Sequence, residues 1–366
     1  FSRNGDGRAA LGPMLREYII SEAMYGLKIP TTRSLAVVKT GEDVIRENIL
    51  QGAILTRVAQ SHIRVGTFQY ASISEDKKNL KKIFDYTVNR HYPDIKDSKT
   101  PAVDLLKKFM EKQIKLVCHW MRVGFIHGVM NTDNMSLSGE TIDYGPCAFM
   151  DVYDPQTVFS SIDLNGRYAY FNQPGITKWN LARFAESIIP LINDNKDKAI
   201  DIATDVINNF GQLYKKEFLE MMKKKLGLIG ENDNDEKLIN NLLSLMYKYK
   251  VDYTNMFCSL MNEYNKDHKI FNSNDFKDWQ KEWLERRLKN NCSLESSIKI
   301  MRTANPLIIP RNHIVEKTLM SAEKNDFVPL NSFIKALEKP YDKIVNKDYQ
   351  IPSPLSEKKY QTFCGT

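Results

Sequence analysis

The residues best suited to chemistry lie close together between His127 and Pro146. Asn134 follows His127 by seven positions and is directly preceded by Asp133, and Asp143 opens an Asp-Tyr-Gly turn nine residues after Asn134. A carboxylate and an amide carbonyl are oxygen ligands of the kind that Mg²⁺ and Mn²⁺ prefer, with triphosphate and water completing the shell. These types in this order predict a metal-dependent phosphate site with Asn134 and Asp143 as ligands.

The spacing is typical of kinase-like catalytic loops, with one change. Such loops place an Asp two residues after the His, an Asn seven after it, and a second Asp in a later Asp-Phe-Gly-like turn. Here Val129 occupies the position of the first Asp, and a valine cannot accept a proton. Asp133 is the nearest carboxylate in the loop. The metal ligands are therefore retained while the base has moved, which favours a reaction other than ordinary phosphate transfer.

A long helix and a hairpin must position these residues. Gly124 suits the end of a helix predicted over about 103–122, and the turn at Ser138–Gly139 predicts a hairpin and a short strand that bring Asp143 to face Asn134. Either Asp-Asn or Asp-Tyr-Gly alone would indicate only a turn. The helix is predicted from apolar residues at three- and four-residue steps, namely Leu106, Phe109, Met110, Ile114, Val117 and Met121.

Several long segments of the chain carry a family resemblance. They are 1–8, 16–24, 29–33, 57–64, the catalytic segment, Gly166-Arg-Tyr, Asn172-Gln-Pro, Trp179-Asn-Leu, Asn305-Pro, Arg311-Asn312 and 362–366. By these segments the chain resembles the selenoprotein O family, a kinase-like group of protein adenylyltransferases, over nearly its whole length. The segments match in the same order, which makes a chance similarity untenable.

The resemblance implies an α+β, protein-kinase-like bilobal fold. Residues 1–70 would form a partial, β-containing N-lobe that contacts the nucleotide. Residues 71–366 would form a large helical C-lobe with the catalytic loop at 127–146 and a helical C-terminal extension. It also implies that ATP binds reversed relative to a kinase, so that AMP passes to a Ser, Thr or Tyr hydroxyl of a protein substrate and pyrophosphate leaves. Mg²⁺ or Mn²⁺ would be the cofactor.

The resemblance also implies roles for the catalytic segment. Asp133 would be the proton acceptor, Asn134 and Asp143 would hold the metal, and Asp143 would also face the nucleotide. Further nucleotide contacts are implied for Asp6, Gly7, Arg57 and Arg64, and a supporting ion pair for Glu17 with a nucleotide-orienting lysine.

The residues themselves support these further roles unequally. Arg57 lies in a β-type run over 52–59, which would place its charge on one face of a sheet. Glu17 lies near the start of a helix predicted over about 13–27, where an interaction with the helix dipole would explain it equally well. Asp6-Gly7 is by itself only a turn signature, and Arg57 and Arg64 could equally be two solvated arginines.

The sequence departs from the family pattern at two places. The nucleotide-orienting lysine and the Gly-rich phosphate loop would lie before Phe1, so we expect a fragment that lacks part of the N-lobe and binds ATP weakly or not at all. The family also often pairs a C-terminal cysteine with one in the activation segment. Phe159 stands at that second position, so we expect no bridge to Cys364, and Cys147 is the sole substitute.

Composition limits the alternatives. The chain has 366 residues, 42% hydrophobic content and a net charge of +7, which would help to attract an anionic nucleotide. No apolar run is long enough to span a membrane. Because the lysines are scattered along the chain and no recognition motif accompanies them, no nucleic-acid partner is expected. Five cysteines without metal spacing indicate a reducing compartment, cytoplasmic in a bacterium or mitochondrial in a eukaryote.

Three other functions stay open at this point. The base pocket cannot be identified from the sequence, so UMP transfer from UTP is one of them. A kinase-like phosphotransferase would use the same metal ligands, although it normally has an Asp where Val129 stands. A binding pseudokinase would tolerate loss of the upstream lysine, but it has little reason to keep Asp133, Asn134 and Asp143 together.

Overall fold

A computed structural model describes residues 5–73, 77–289, 293–343, 346–354 and 360–362. The chain is mixed α/β and mostly helical. Helix α1 (Leu11–Gly26) precedes an antiparallel hairpin of β1 (Arg33–Ile45) and β2 (Ile49–Val58), in which Val37 pairs with Leu55. A second small antiparallel pair joins β3 (Phe125–Ile126) to β4 (Ala148–Phe149).

Besides short 3-10 turns, the described chain contains twelve further α-helices. They are α2 (Val65–Ile73), α3 (Lys77–His91), α4 (Pro101–Val123), α5 (Gln173–Ile192), α6 (Lys196–Asn208), α7 (Phe210–Leu226), α8 (Asp235–Tyr249), α9 (Tyr253–Leu260), α10 (Asn274–Arg287), α11 (Leu294–Ala304), α12 (Asn312–Glu323) and α13 (Val328–Leu337).

Helix α4 confirms the helix predicted from the apolar pattern and is central to the fold. Its N-terminal part packs in one hydrophobic cluster with α2, α3, α5 and α6, and its C-terminal part packs in a second cluster with α1, α8 and α12. Gly124 ends the helix in the left-handed conformation with a φ of 72°. This conformation suits glycine because it has no Cβ. The end of helix α4 at Gly124 therefore fixes the position at which the catalytic segment begins.

Helix α1 begins earlier than the sequence predicts. It starts at Leu11, so Glu17 lies in the second turn and no acidic residue occupies the first. The helix-dipole explanation of Glu17 is therefore wrong. Close packing fixes the far end of α1, because a Cβ on Gly26 would lie 2.1 Å from the carbonyl oxygen of Leu337 at the end of α13.

The turn between Asn134 and Asp143 also differs from the prediction. A tight turn forms, with the Gly139 N–H donating to the Ser136 carbonyl at 3.1 Å and Gly139 at a φ of 84°. Its two arms do not pair with each other, however. Ser136 bridges to Arg64 and Thr141 bridges to Thr31. The predicted hairpin is replaced by two isolated bridges because distant segments supply the partners.

The apolar spacing after residue 154 predicts helices over about 179–192, 200–225, 235–248 and 313–323, and the structure corrects one of them. The pattern over 200–225 is divided into α6 and α7 at Asn209, whose side chain donates to the Asp205 carbonyl at 2.7 Å and so competes with the helical backbone. Trp279 and Trp283 lie four residues apart, a spacing that predicts one core-facing side of a helix, and both are buried with their rings stacked at a centroid distance of 5.6 Å. The division at residue 70 into two lobes stays a prediction.

Candidate active site

His127 holds the start of the catalytic loop against the segment that precedes Asp143. Its ring is fully buried, and Nε2 lies 3.0 Å from the carbonyl oxygen of Ile142. A carbonyl only accepts, so Nε2 carries the proton and donates it. Burial lowers the pKa of His127, which favours this neutral form. The histidine therefore fixes the backbone one residue before Asp143.

Asp143 is also fixed from its other side. Its backbone is left-handed with a φ of 69°, an uncommon conformation for a residue other than glycine and one that recurs at functional sites. The next residue, Tyr144, is fully buried, and its hydroxyl bonds to that of Thr31. The Tyr144 N–H donates to Oε2 of Glu17 at 2.6 Å. Asp143 thus lies between two anchored neighbours.

Glu17 connects this turn to the hairpin. Its other carboxylate oxygen pairs with Nη2 of Arg57 on β2, and only 5% of Glu17 is exposed. Burial raises the pKa of Glu17, Arg57 opposes that rise, and the nearby charge of Asp143 adds to it. In the described part of the chain the ion-pair partner of Glu17 is therefore Arg57, a residue that sequence reasoning placed on the nucleotide.

Arg64 and the loop around Asp133 form the second part of the site. Nη1 of Arg64 donates to the Asp133 carbonyl at 3.3 Å, and the backbone on each side of Arg64 bonds to residues 135 and 137. Residues 132–134 form a short 3-10 turn. The Asn134 side-chain amide donates to the Val129 carbonyl at 3.0 Å. This bond orients the amide and directs its oxygen away from Val129.

Gly66 is a site residue that sequence reasoning missed. A Cβ at this position would lie 2.2 Å from Oδ1 of Asp133, closer than any side chain allows. Gly66 occupies the second position of α2, so the Asp133 carboxylate lies at the positive, N-terminal end of that helix. The available signal is a glycine at the start of a helix just after Arg64, but α2 itself was not predicted.

Two buried side-chain amides of α5 bond to the backbone of the catalytic loop, and sequence reasoning did not identify either of them. The Gln173 side chain accepts from the His127 N–H at 3.0 Å and donates to the Phe125 carbonyl at 3.0 Å. Asn180 donates to the Met130 carbonyl at 2.9 Å. Both lie in segments that carry the family resemblance, and their role is to hold the backbone of the loop in place.

Asp6 and Gly7 lie on the hairpin side of the molecule. Asp6 accepts from Arg46 and from the Arg8 N–H, and these bonds lower its pKa to about 2. Gly7 helps to line a cavity of about 390 Å³ between the N-terminal segment and β2, with Gly52 among its other walls. The described partners of Asp6 are therefore in and beside the hairpin, whereas the other predicted residues gather at the catalytic segment.

The C-terminal segment reaches the position at which the family often has a cysteine. Phe159 contacts the ring of Tyr360 with centroids 5.9 Å apart, and the Thr362 N–H donates to the Phe159 carbonyl at 2.8 Å. Cys364 lies outside the described residues. Cys147 is buried, and burial raises the pKa of its thiol to about 12, which disfavours the reactive thiolate. The absence of a bridge stays a prediction.

Two kinds of feature, a cluster of metal-binding side chains and a membrane-spanning helix, were sought among the described residues. They contain no group of three or more His, Cys, Asp or Glu side chains placed to hold a metal ion. A site made of Asn134 and Asp143 would therefore need phosphate and water oxygens to complete it, as is usual for Mg²⁺. Among the helices that the structure describes, none is both long and apolar enough to cross a membrane.

The sequence is similar to those of known proteins over its whole length. Residues 1–338 match the family model described as protein adenylyltransferase SelO. The whole chain is 58% identical to the protein nucleotidyltransferase YdiU of Pelagibacter ubique and covers 76% of that protein. It is 55% identical to the proteins of the same name from Nitrosococcus oceani and Clostridium perfringens, again over the whole chain and over 75% of each relative.

Proposed function

We propose, starting from the fact that the chain belongs to the protein adenylyltransferase SelO family, that it transfers AMP from ATP to hydroxyl groups of proteins and releases pyrophosphate. The observation that carries the proposal is the placement of Asp143. Its neighbours are anchored by His127 on one side and by Glu17 on the other, beside the loop that presents Asp133. In this arrangement the Asp143 carboxylate would bind the nucleotide, and the Asp133 carboxylate would act on the acceptor.

Asp133 is the residue that would activate the acceptor. Its carboxylate lies against Gly66 at the N-terminus of α2, and the position two after His127 is a valine that cannot take a proton. Asp133 would accept the proton of a Ser, Thr or Tyr hydroxyl as that oxygen attacks the α-phosphorus of ATP. The bond to pyrophosphate then breaks. A general base of this kind typically contributes about 10²–10⁴-fold to the rate.

Asn134 and Asp143 are suited to hold Mg²⁺ or Mn²⁺. The Asn134 amide is oriented by its bond to the Val129 carbonyl, which leaves its oxygen for a ligand, and Asp143 supplies a carboxylate. One carboxylate, one amide oxygen and the phosphates make a donor set that these hard cations accept. When bound, the cation would neutralise charge on the triphosphate. Arg57 and Arg64 would bind further phosphate oxygens through their guanidinium groups.

The difference between the β-hairpin near the N-terminus and the mostly helical chain that follows it supports a protein-kinase-like bilobal architecture. The hairpin is a two-stranded ribbon, and large apolar side chains on it are exposed, among them Leu35, Ile45 and Ile49 at 71–75%. A ribbon of this kind is marginal by itself and is stabilised by further strands or helices. We therefore assign residues 1–70 to part of an N-lobe and residues 71–366 to a helical C-lobe.

UMP transfer is the second candidate, because the named relatives are called nucleotidyltransferases without a specified nucleotide. These relatives are bacterial, which favours the cytoplasm as the location of this protein.

Intact-mass spectrometry of a protein acceptor separates AMP transfer from UMP transfer. The acceptor is incubated with full-length protein, Mg²⁺ and equal concentrations of ATP and UTP. We expect an AMP adduct. A UMP adduct would replace the nucleotide in the proposal, and a phosphate adduct would replace the reaction.

A further inference from the structure

The backbone after Asp143 is held by side chains from distant parts of the sequence. The left-handed conformation of Asp143 is one that a residue other than glycine keeps only where surrounding contacts hold it. The bond from the Tyr144 N–H to Glu17 is one such contact. Further contacts come from Arg16 on α1 and from Asn312 on α12, and neither residue belongs to the catalytic segment.

Arg16 bonds to this backbone three residues after Tyr144. Its Nη2 donates to the carbonyl oxygen of Cys147 at 2.6 Å, and its side chain is buried. Two consecutive residues of α1 therefore hold the turn, Glu17 at the N–H of Tyr144 and Arg16 at the carbonyl of Cys147. The Cys147 thiol also donates to the Tyr144 carbonyl at 3.1 Å, which joins the two points. A shift of either point would move the turn.

Helix α12 fixes the other side of the Arg16 guanidinium. Nη1 of Arg16 pairs with Oε1 of Glu316 at 3.0 Å and donates to the Tyr360 hydroxyl at 3.1 Å. That hydroxyl donates to the same carboxylate oxygen at 2.5 Å. A Cβ on Gly12 would lie 2.9 Å from a carboxylate oxygen of Glu323, so the start of α1 lies against the end of α12. The planar guanidinium is therefore held in one orientation.

Asn312, the first residue of α12, holds the backbone of Phe149 at two atoms. Its Oδ1 accepts from the Phe149 N–H at 3.3 Å, and its Nδ2 donates to the Phe149 carbonyl at 3.0 Å. Phe149 lies on β4, which pairs with β3, and β3 ends at Ile126 directly before His127. Asn312 thus fixes the strand pair that adjoins both the start of the catalytic loop and the segment after Asp143.

Arg311 anchors the start of α12 beside Asn312. Its guanidinium is fully buried and pairs with Asp151, which belongs to the segment after Asp143, and with Asp252 at 2.6 Å. Separation of these groups would leave a buried charge without one of its partners, which is strongly unfavourable. The start of α12 therefore has a fixed place relative to the segment that it holds.

We propose that Arg16 and Asn312 are positioning residues for AMP transfer, because they hold the backbone after Asp143 and so set where its carboxylate meets the metal ion and the triphosphate. This inference rests on the proposed function and adds two residues to it. Groups that support the ligands of a metal fix the orientation of those ligands, and their loss typically costs about 10–100-fold in metal affinity or activity.

A matched control is available for each residue. Arg286 on α10 is also buried, pairs with Asp235 and donates to backbone carbonyls, but those carbonyls belong to residues 229 and 230. Asn305 is a buried asparagine whose Nδ2 donates to the Lys225 carbonyl at 2.8 Å. These side chains make the same kinds of bonds to parts of the chain outside the catalytic segment.

The first test measures the hold on the turn without any reaction. Arg16→Lys and Arg286→Lys are compared with wild type by amide hydrogen exchange of full-length protein without nucleotide. Lysine keeps the charge but lacks the fork that bonds several partners at once. We expect faster exchange at the Tyr144 N–H in Arg16→Lys, although Glu17, its acceptor, is unchanged. Exchange at Tyr144 should stay at the wild-type rate in Arg286→Lys.

The second test measures the metal site. Mn²⁺ binding in the presence of ATP is followed by electron paramagnetic resonance, and transfer is followed with α-labelled ATP. We expect Arg16→Lys and Asn312→Ala to weaken Mn²⁺ binding about tenfold and to lower kcat. The KM for the protein acceptor should be unchanged, because the acceptor meets Asp133. Arg286→Lys and Asn305→Ala should bind Mn²⁺ as wild type does.

The outcomes separate the two proposals. If wild type labels no acceptor, the proposed function fails and the positioning proposal fails with it. If wild type transfers AMP but Arg16→Lys and Asn312→Ala keep wild-type exchange and Mn²⁺ binding, the positioning proposal alone is overturned. Equal losses of Mn²⁺ binding in the variants and their controls, in step with their thermal unfolding temperatures, would make both residues merely structural. Where Arg16→Lys does not fold, the comparison of Asn312→Ala with Asn305→Ala decides.

Discussion

The two sides of the candidate site are built in opposite ways. On one side Glu17 is buried, pairs with Arg57 and accepts from the backbone beside Asp143, so that several elements meet in one ion-paired cluster. On the other side Asp133 lies half-buried on a single 3-10 turn held by Arg64 and by close contact with Gly66. The first side is part of the core, whereas the second opens toward solvent.

This difference separates two requirements of a transfer reaction. The nucleotide and its metal ion need ligands at fixed positions, and a buried cluster provides them because few alternative conformations exist there. The acceptor must enter and leave, so its base belongs on an accessible loop. The comparison predicts that changes on the buried side affect nucleotide handling, and that changes on the open side affect the rate of transfer.

The largest effect is expected for Asp143→Ala on the buried side. It removes the carboxylate suited to bridge metal and triphosphate, so metal-dependent transfer should be abolished while the thermal unfolding temperature changes little. Asn134→Ala should impair transfer as well, with partial rescue by Mn²⁺, which tolerates less ideal coordination than Mg²⁺ does. Activity of Asp143→Ala within a few-fold of wild type, in full-length protein, would remove this residue from the site.

The next effect is expected for Asp133→Ala on the open side. Single-turnover transfer should slow by about 10²–10⁴-fold, because a general base acts in the transition state and adds little to ground-state binding. ATP affinity, measured by calorimetry, should stay close to wild type. Equal losses in affinity and rate would instead make Asp133 a metal ligand and erase the difference between the two sides.

Gly66→Ala tests the same side without removing a charge. The added methyl group cannot coexist with Oδ1 of Asp133, so the carboxylate must shift, and a shift of about 1 Å can cost roughly 10²-fold in rate. ATP affinity should be retained. Gly211→Ala is the matched control, because Gly211 also holds the second position of a helix and has open space around it. An active Gly66→Ala enzyme would contradict the placement of Asp133.

The smallest effect is expected for Glu17→Gln, and it depends on pH. Burial raises the pKa of Glu17 above its ordinary 4.5, so as the pH falls the folded protein takes up this proton before the unfolded chain does. Transfer should then decline as the pairing with Arg57 weakens, while the contribution of Glu17 to stability increases. Glu17→Gln should lower transfer about tenfold at neutral pH, since an amide keeps the bond to the Tyr144 N–H.

The pH profile provides the check on that prediction. Wild type should show an acidic limb above the usual glutamate range, and Glu17→Gln should lose it. An unchanged limb in the variant would assign the titration to another group. A stability difference between wild type and Glu17→Gln that shrinks toward low pH would also contradict the sign of the Glu17 shift.

The sequence predicts the elements of the site better than the contacts between them. The apolar stripe of α4 and the order of Asp133, Asn134 and Asp143 are local patterns, and the structure has the helix where the stripe predicts it. The pairing of Glu17 with Arg57 and the contact of Gly66 with Asp133 join residues far apart in the chain. No spacing rule reveals such contacts, because they depend on tertiary packing.

The predicted hairpin failed for the same reason. Its turn at Gly139 formed, but the arms found partners at Arg64 and Thr31 rather than in each other. Local turn chemistry predicted the reversal correctly, and the competing partners come from segments more than 60 residues away in the sequence. The same bridges place Arg64 beside the catalytic loop.

We propose that this site transfers the nucleotidyl group of ATP. The most direct measurement uses full-length protein, Mg²⁺, a protein acceptor and ATP labelled at either the α- or the γ-phosphorus. We expect label on the acceptor from the α position only, with release of pyrophosphate, and none with Asp143→Ala. Label from the γ position only would show phosphate transfer and contradict the proposed transfer of AMP.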